Sequence, residues 1–317
     1  MTASITDSSP AEFRALAGEF WPGSKVLAVD GTGMLVRCHK AAQRTGQPLT
    51  AADGTPTGTL MMFIGSLAKK LRVLQPAYAV ITWDGPHARI WRQDLYPGYK
   101  ANRNPQHEAS PEQRLAVEFC HAAGLRQLAV PGYEADDLLA AVQRWVIASM
   151  PDALLDICTD DADLLQLLFH PTTAVTGLSF DAIRLAEDVQ AEWGIHPRYL
   201  PCVRALAGDQ SDNIPGLPGI GIQRAARMIR DCGYEWPLPD WMLPDPEQRR
   251  LVGVWRDVME LAEPPHKPED EHNVGMDFFA LSGRAEWNRE PREELFTFLA
   301  KYQLSRLSER ALNGKLW

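Results

Sequence analysis

Leu154-Leu155-Asp156-Ile157-Cys158 runs directly into Thr159-Asp160-Asp161-Ala162-Asp163. The first five residues read as a buried β-strand, and acids fall at its exit. Two further apolar segments end the same way, Val26-Leu27-Ala28-Val29-Asp30 and Tyr78-Ala79-Val80-Ile81-Thr82-Trp83-Asp84. Near-continuous apolar runs suit strands covered on both faces, as in parallel α/β sheets, where ligands bind outside the carboxyl ends of the strands. Asp30, Asp84, Asp161 and Asp163 should therefore converge at one edge. Gly132-Tyr133-Glu134-Ala135-Asp136-Asp137 opens a helical run over 138–150, which sets three more acids at a helix start.

The elements between these segments complete an α/β pattern. A helix is expected over 34–42, a stronger one over 59–74, and two more over 112–123 and 134–150, giving a doubly wound, mostly parallel sheet. The segment 87–111 is polar and punctuated by Pro97, Pro105 and Pro111. It reads as a mobile loop or arch over the site. Residues 1–25 form a leader with one short amphipathic helix near 11–20, and 26–187 form the α/β core. Beyond 188 the pattern becomes helical and loop-rich, a second region over 188–317.

A chain of 317 residues that is 45% hydrophobic can bury a substantial core. Met1 to Pro10 is polar and lacks an apolar signal region, and no stretch approaches about 18 uncharged apolar residues, so a cytoplasmic protein without a membrane segment is expected. Cys38, Cys120, Cys158, Cys202 and Cys232 are scattered, with no Cys-x-x-Cys, which gives neither a disulfide framework nor a zinc motif. The net charge of −9 is unusual for a polyanion binder. Its distribution matters more than its sum. Arg89, Arg92, Lys100 and Arg103 are interleaved with Trp91, Tyr96 and Tyr99, a mixture that can hold phosphate and stack bases or form an ordinary solvated surface.

The second strong signal is Gly208-Asp209-Gln210-Ser211-Asp212-Asn213-Ile214-Pro215-Gly216-Leu217-Pro218-Gly219-Ile220-Gly221, ahead of a helical run over 222–229. Glycines at 216, 219 and 221 permit a tight hairpin whose backbone can approach a phosphate, and helix-start amides favour an anion. A helix-hairpin-helix clamp on duplex DNA fits, although glycine spacing alone also describes a plain turn. Asp209 and Asp212, three apart on a helical turn, would share a face and point back at the acidic cluster.

Five ordered blocks resemble one family: VDG at 29–31, WRQDLYPGYKANR at 91–103, GYEADDLLA at 132–140, TDDADLLQLL at 159–168 and GDQSDNIPGLPGIG at 208–221. They are similar to the 5′-nuclease family, which comprises the 5′→3′ exonuclease domains of bacterial DNA polymerase I, phage 5′-exonucleases and flap endonucleases. The likeness extends over about 26–310, since 291–307 resembles the family's closing helix. It implies a PIN-like α/β fold with a helical arch and a C-terminal helix-three-turn-helix. It also implies a stand-alone nuclease, as no polymerase domain follows.

The resemblance implies a first metal group of Asp30, Asp84, Glu134, Asp136 and Asp161, with Asp137, Asp163, Asp209 and Asp212 completing the outer or second-metal shell. Lys100 and Arg103 match an arch-base pair that meets the scissile phosphate, Arg37 another phosphate contact, and Tyr99 an aromatic that stacks on the terminal base. Arg92 and Arg224 join the DNA-binding set with Gly216, Gly219 and Gly221, the hairpin at which family members can bind K⁺ through main-chain oxygens. Two departures stand out: Ala162 replaces a common lysine, and Arg224 sits where a lysine often follows the hairpin. Asp160 is an extra acid without a family role, expected to cap the following helix.

Two unit charges 4 Å apart repel by roughly 4 kcal/mol at an effective dielectric near 20, so nine clustered acids call for protons or cations. Hard oxygen ligands suit Mg²⁺ or Mn²⁺, and two ions could together activate water and stabilise a leaving 3′-oxygen. The expected partner of a monomeric enzyme is DNA with 5′ ends or flaps, or an RNA/DNA hybrid. A PIN-like ribonuclease shares the acidic core but typically lacks the glycine hairpin. A non-catalytic DNA-end-binding protein would be expected to have lost an inner acid, and none is missing here.

Overall fold

The three apolar runs are central strands in the computed structural model, which describes residues 24–44, 49–103, 110–179, 183–261 and 290–317. The strands are β1 (Lys25–Asp30), β2 (Tyr78–Thr82), β3 (Arg126–Leu128), β4 (Leu154–Cys158), β5 (Thr173–Thr176) and β6 (Ile183–Arg184), in the order β3-β2-β1-β4-β5-β6. All neighbours are parallel except β5 and β6. Val29 is in register with Ile81 on one side and Cys158 on the other, so β1, β2 and β4 end level. The chain winds outward from β1 in both directions. That makes the carboxyl end of β1 a topological switch point, where such sheets open a crevice.

Helices α1 (Gly31–Arg44) and α2 (Gly58–Leu74) join β1 to β2, α3 (Ile90–Leu95) and α4 (Pro111–Ala122) lie between β2 and β3, and α5 (Ala135–Ser149) leads to β4. A 3₁₀ helix, Ala162–Phe169, precedes β5. Helices α6 (Ala186–Trp193), α7 (Leu200–Ala207), α8 (Ile222–Asp231), α9 (Pro246–Met259), α10 (Glu293–Lys301) and α11 (Ser305–Leu312) follow β6. Local chemistry sets several of these boundaries. Ser110 accepts from the Gln113 amide at 3.1 Å with proline at the first helical position, which starts α4, and Gly194 ends α6 in the left-handed region. No described helix is long and apolar enough to cross a membrane.

Alternate residues of the strands feed two cores, which is why each strand reads as one apolar run. Val26, Ala28, Val80, Leu155 and Ile157 pack with Leu138 and Leu139 of α5, Val203 of α7 and Trp255 of α9. Leu27, Val29, Ala79 and Ile81 pack on the other face with Phe63 of α2, Phe119 of α4 and Phe298 of α10. Helices after 188 are thus divided between the faces, α7 to α9 on one and α10 and α11 on the other.

The expected helices over 34–42, 59–74, 112–123 and 134–150 are present as α1, α2, α4 and α5. The expected helix at 11–20 lies outside the described residues. Strands β3, β5 and β6, two to four residues long, had no readable periodicity. Over its described part the segment expected to form an arch, 87–111, is helical at 90–95, and the turns that follow are bonded to the 208–214 turn, with the Lys100 amide donating to Asp212 O at 3.0 Å and Asn213 Nδ2 to Gly98 O at 2.6 Å. Residues 104–109 lie outside the described residues.

One buried polar group ties α2 to the sheet. Lys70, fully buried, donates from Nζ to Thr176 Oγ1 at 3.2 Å and to Gly177 O, while Thr176 Oγ1 donates to Asp156 Oδ1 at 2.8 Å. Burial raises the Asp156 carboxyl above its usual range, and Lys70 opposes the rise. Lys70→Met should cost about 3–5 kcal/mol of stability at pH 7, because it leaves a buried carboxylate unpaired. A carboxyl with a raised folded pKa binds its proton more tightly in the folded state, so the loss should shrink as pH falls toward 5. Urea unfolding of wild type and variant at both pH values checks this.

Candidate active site at the carboxyl edge of the sheet

Asp30 is the last residue of β1, and α1 begins at the next residue without a connecting loop. This junction fixes its carboxylate: Oδ1 accepts from the Gly33 amide at 2.7 Å, and Oδ2 from Thr159 Oγ1 at 3.1 Å. A Cβ on Gly33 would lie 2.1 Å from Oδ2, so only glycine permits this approach. Asp84, two residues past β2, accepts from the Ala135 amide at the start of α5 at 2.9 Å, and its own amide donates to Thr32 Oγ1 at 2.9 Å. Asp161 accepts from the Asp163 amide at 2.8 Å and caps the 3₁₀ helix.

These acids act on one another through their charges. Burial pushes the Asp30 carboxyl up to about 7, and Asp84 and Asp161 add to the rise against the Gly33 amide and the Thr159 hydroxyl. Burial, then Asp161 and Asp30, hold Asp136 well above the carboxylate range. Asp84 is raised by burial and by Glu134. Among the described residues, Asp30, Asp84, Asp136 and Asp161 form no ion pair.

The other five acids are matched with cations. Arg92 donates to both oxygens of Asp137, at 2.8 and 2.6 Å, to Glu134 at 3.2 Å, and to Val258 O of α9 at 2.8 Å. Glu134 also accepts from Lys100 Nζ at 2.7 Å and Tyr99 Oη at 2.6 Å. Burial acts to raise Glu134, but Lys100 and Arg92 overcome it and hold the carboxyl at about 2. Arg103 donates to Ser211 O at 2.8 Å and Asp212 Oδ1 at 3.2 Å. Arg204 lies 3.0 Å from Asp163 Oδ1 and also pairs with Asp209. Burial nevertheless raises Asp163 to about 7, with Arg204 opposing and Asp161, Asp212 and Asp209 adding to the rise.

Several expectations are corrected by this geometry. Arg92 is 2% exposed and Tyr99 3%, and both bond to Glu134, so neither side chain lies on the surface as placed. Asp137 closes a capping box with the Glu134 amide at 3.0 Å and takes a bidentate guanidinium, so most of its acceptor capacity is used within the protein. Asp160 does not cap a helix. It accepts from the Leu178 amide at 2.8 Å and pairs with Arg37, while Asp161 provides the cap. Asp209 and Asp212 sit in a tight turn closed by the Asp209–Ile214 bridge, with the Ser211 and Asp212 amides donating to Asp209 Oδ1, rather than on a helical turn.

Lys100, Arg103 and Arg37 do stand at this edge, Lys100 and Arg103 beside Asp212 and Arg37 beside Asp160. In the hairpin between α7 and α8, Gly216 has φ +65°, and a Cβ there would lie 2.3 Å from Gly208 N, so it serves chain packing. Gly219, with φ +73°, faces open space, Gly221 precedes α8, and the exposed Arg224 reaches back to Gly219 O at 3.5 Å. Arg204, Thr159 and Thr32 were missed from the sequence; each acts through a partner that no spacing rule reveals.

The donor set suits a hard divalent cation: carboxylates, four of which repel one another and form no ion pair. Among the described residues no three acidic, histidine or cysteine side chains stand close enough together to hold a metal ion as they are placed, so the carboxylates would have to draw together around one. A family model described as the 5′-3′ exonuclease N-terminal resolvase-like domain matches residues 25–194. The chain belongs to this 5′-3′ exonuclease family. A 5′-3′ exonuclease of Bacillus subtilis is 33% identical over 212 residues, 66% of this chain and 70% of that protein. DNA polymerase I of Rhizobium leguminosarum is 34% identical over 242 residues, 74% of this chain, which spans 23% of that protein's length. The bacteriophage T5 flap endonuclease, crystallised with DNA and metal ions, matches at TM-score 0.59 with 17% identity over 87% of this chain and 98% of that one, a likeness of fold.

If Arg92 is a buried pairing residue, Arg92→Ala should cost about 3–5 kcal/mol of stability by leaving Asp137 buried without a cation. The slope of log affinity for DNA against log salt should stay as in wild type, because no phosphate contact is lost. A slope reduced by about one would return Arg92 to the DNA surface.

Proposed function

We infer that this chain is a structure-specific 5′-nuclease, a 5′→3′ exonuclease and flap endonuclease that hydrolyses DNA phosphodiesters near 5′ ends with Mg²⁺ or Mn²⁺. One observation carries the reading: Asp30, Asp84, Asp136 and Asp161 crowd the switch point of the sheet without protein cations. Family membership supports the reaction class, and the cytoplasm and processing of replication or repair intermediates go with it.

Asp30, Asp84, Asp136 and Asp161 would hold the ions, with Asp163, Asp209 and Asp212 acting through water from the Arg204 and Lys100 side. Such ions lower the pKa of a bound water and stabilise charge on the leaving 3′-oxygen. The protein supplies orientation. The Gly33 and Ala135 amides hold Asp30 and Asp84 at fixed angles, so those carboxylates need not reorganise when an ion arrives. Arg103 stands at the rim beside Asp212 and can trade that carboxylate for a phosphate oxygen; Lys100, buried against Glu134 and 3.7 Å from Asp212, would have to release Glu134 to do the same. The open backbone at Gly219 and the exposed Arg224 suit a duplex phosphate, and a K⁺ ion on hairpin carbonyls belongs to the same reading.

The deciding assay uses 5′-labelled flap, nicked, blunt and single-stranded DNA, with RNA counterparts, in Mg²⁺, Mn²⁺ or EDTA. Cleavage of single-stranded RNA alone would favour a ribonuclease. Asp136→Ala should abolish cleavage and raise resistance to urea in EDTA, because it removes a like charge from the cluster. Mg²⁺ should stabilise the wild type but not this variant. Near-normal turnover of Asp136→Ala at saturating Mg²⁺ refutes the assignment.

Lys100→Ala and Arg103→Ala should each cut single-turnover cleavage on the order of 10²–10³-fold with little change in affinity, as loss of one preorganised donor does. Arg103→Lys should rescue only partly, since an ammonium lacks the guanidinium fork. Unchanged rates with collapsed affinity would make these residues DNA holders only.

A further inference from the structure

Asp160 has no part in the reaction outlined above, yet it lies at the mouth of the site. It holds Arg37, whose guanidinium bonds to the Asp160 carboxylate and to Ser179 Oγ. The Leu178 amide donates to Asp160 Oδ1 at 2.8 Å, which fixes the carboxylate and turns its other oxygen toward Arg37. Arg37, Lys40 and Arg44 recur at three and four residues along α1, so they share one face. Together with Asp30, Asp160 and Asp161 they line a cavity of about 630 Å³ that opens beside the acidic cluster.

The contact joins a carboxylate to one of three exposed cations that share a face of α1. Its side chains are 46% and 39% exposed, and water reaches both partners. Exposed pairs of this kind are weak, whereas a guanidinium can bind a phosphate through two parallel hydrogen bonds. A polyanion can therefore displace Asp160 without leaving a charge buried.

We propose that Asp160 is an internal anion that occupies the place of a DNA backbone phosphate against Arg37 until substrate displaces it. The proposal rests on the nuclease reading, in which Arg37 meets a phosphate. It makes engagement of Arg37 conditional on an anion that competes better than a tethered carboxylate, and it lowers affinity for DNA generally.

The experiment is a double-mutant cycle of D160N and R37A. Affinity is measured on a 5′-flap duplex with Ca²⁺ in place of Mg²⁺, and wild-type cleavage of the same DNA is assayed in Mg²⁺. Asparagine keeps an acceptor for the Leu178 amide, and urea unfolding confirms that each variant is folded. R37A should weaken binding. D160N should tighten it about two- to five-fold, the range an exposed pair spans, and should have no effect in the R37A background. Equal tightening in both backgrounds would mean plain charge repulsion and overturn the proposal. Weaker binding by D160N would mean that Asp160 orients Arg37 for DNA, and no change would mean that the pair is idle; either overturns it. Those results leave the nuclease reading standing if wild type cleaves the flap. Failure of wild type to bind or cleave it removes both.

Discussion

Asp30 is buried, Asp84 and Asp136 are partly buried and Asp161 is exposed, and the carboxyl edge of the sheet is organised around the repulsion among these four acids. Two unit charges about 4 Å apart repel by roughly 4 kcal/mol at an effective dielectric near 20, and by less where water enters. Folding alone gains nothing from the arrangement. It is held together by backbone: the register of β1 with β2 and β4 levels the strand ends, and the amides at the starts of α1 and α5 face Asp30 and Asp84. Helix N-termini carry partial positive charge, so these amides offset part of the cost without neutralising the acids. A cation that completes the offset is bound more tightly for having been left so much to compensate.

The remaining acids meet the same constraint by a different route. Arg92 serves Glu134 and Asp137 at once and ends on the Val258 carbonyl, which joins α3, α5 and α9 through one guanidinium. Lys100 reaches Glu134 from a left-handed backbone, φ +48°, a conformation unfavourable for lysine and sustained here by the bond from its amide to Asp212 O. The hairpin after α7 thus holds the arch base in place. Changes in the helical region should reach the acidic edge through these two connections.

How much of this was legible follows from the range of each interaction. The acids at strand exits could be read from local pattern, since a strand covered on both faces announces itself and its exit is the next polar residue. Gly33 and Gly216 were legible only as glycines; the oxygen that approaches one and the backbone nitrogen that approaches the other belong to tertiary structure. Arg92 and Arg103 look alike in sequence, both basic and close to aromatics, yet one is buried and the other is largely exposed. The difference lies in Val258, 166 residues away from Arg92. Asp160 and Asp161 posed the same difficulty. Either could cap the following helix, and the Leu178 amide and Arg37 decide which one does.

The net charge of −9 is reconciled with a polyanion substrate by where the charges lie. The four unpaired acids face the switch point, where divalent ions would reverse the local sign, and five more are already matched to arginine or lysine. Exposed cations run in rows elsewhere: Arg37, Lys40 and Arg44 along α1, and Arg224, Arg227 and Arg230 along α8. Screening confines each charge to roughly 10 Å at moderate ionic strength, so a phosphate sees the row beneath it rather than the sum over the chain. Affinity for DNA is then governed by a few local exchanges of one anion for another, and it should depend on metal and salt far more than the sequence total implies.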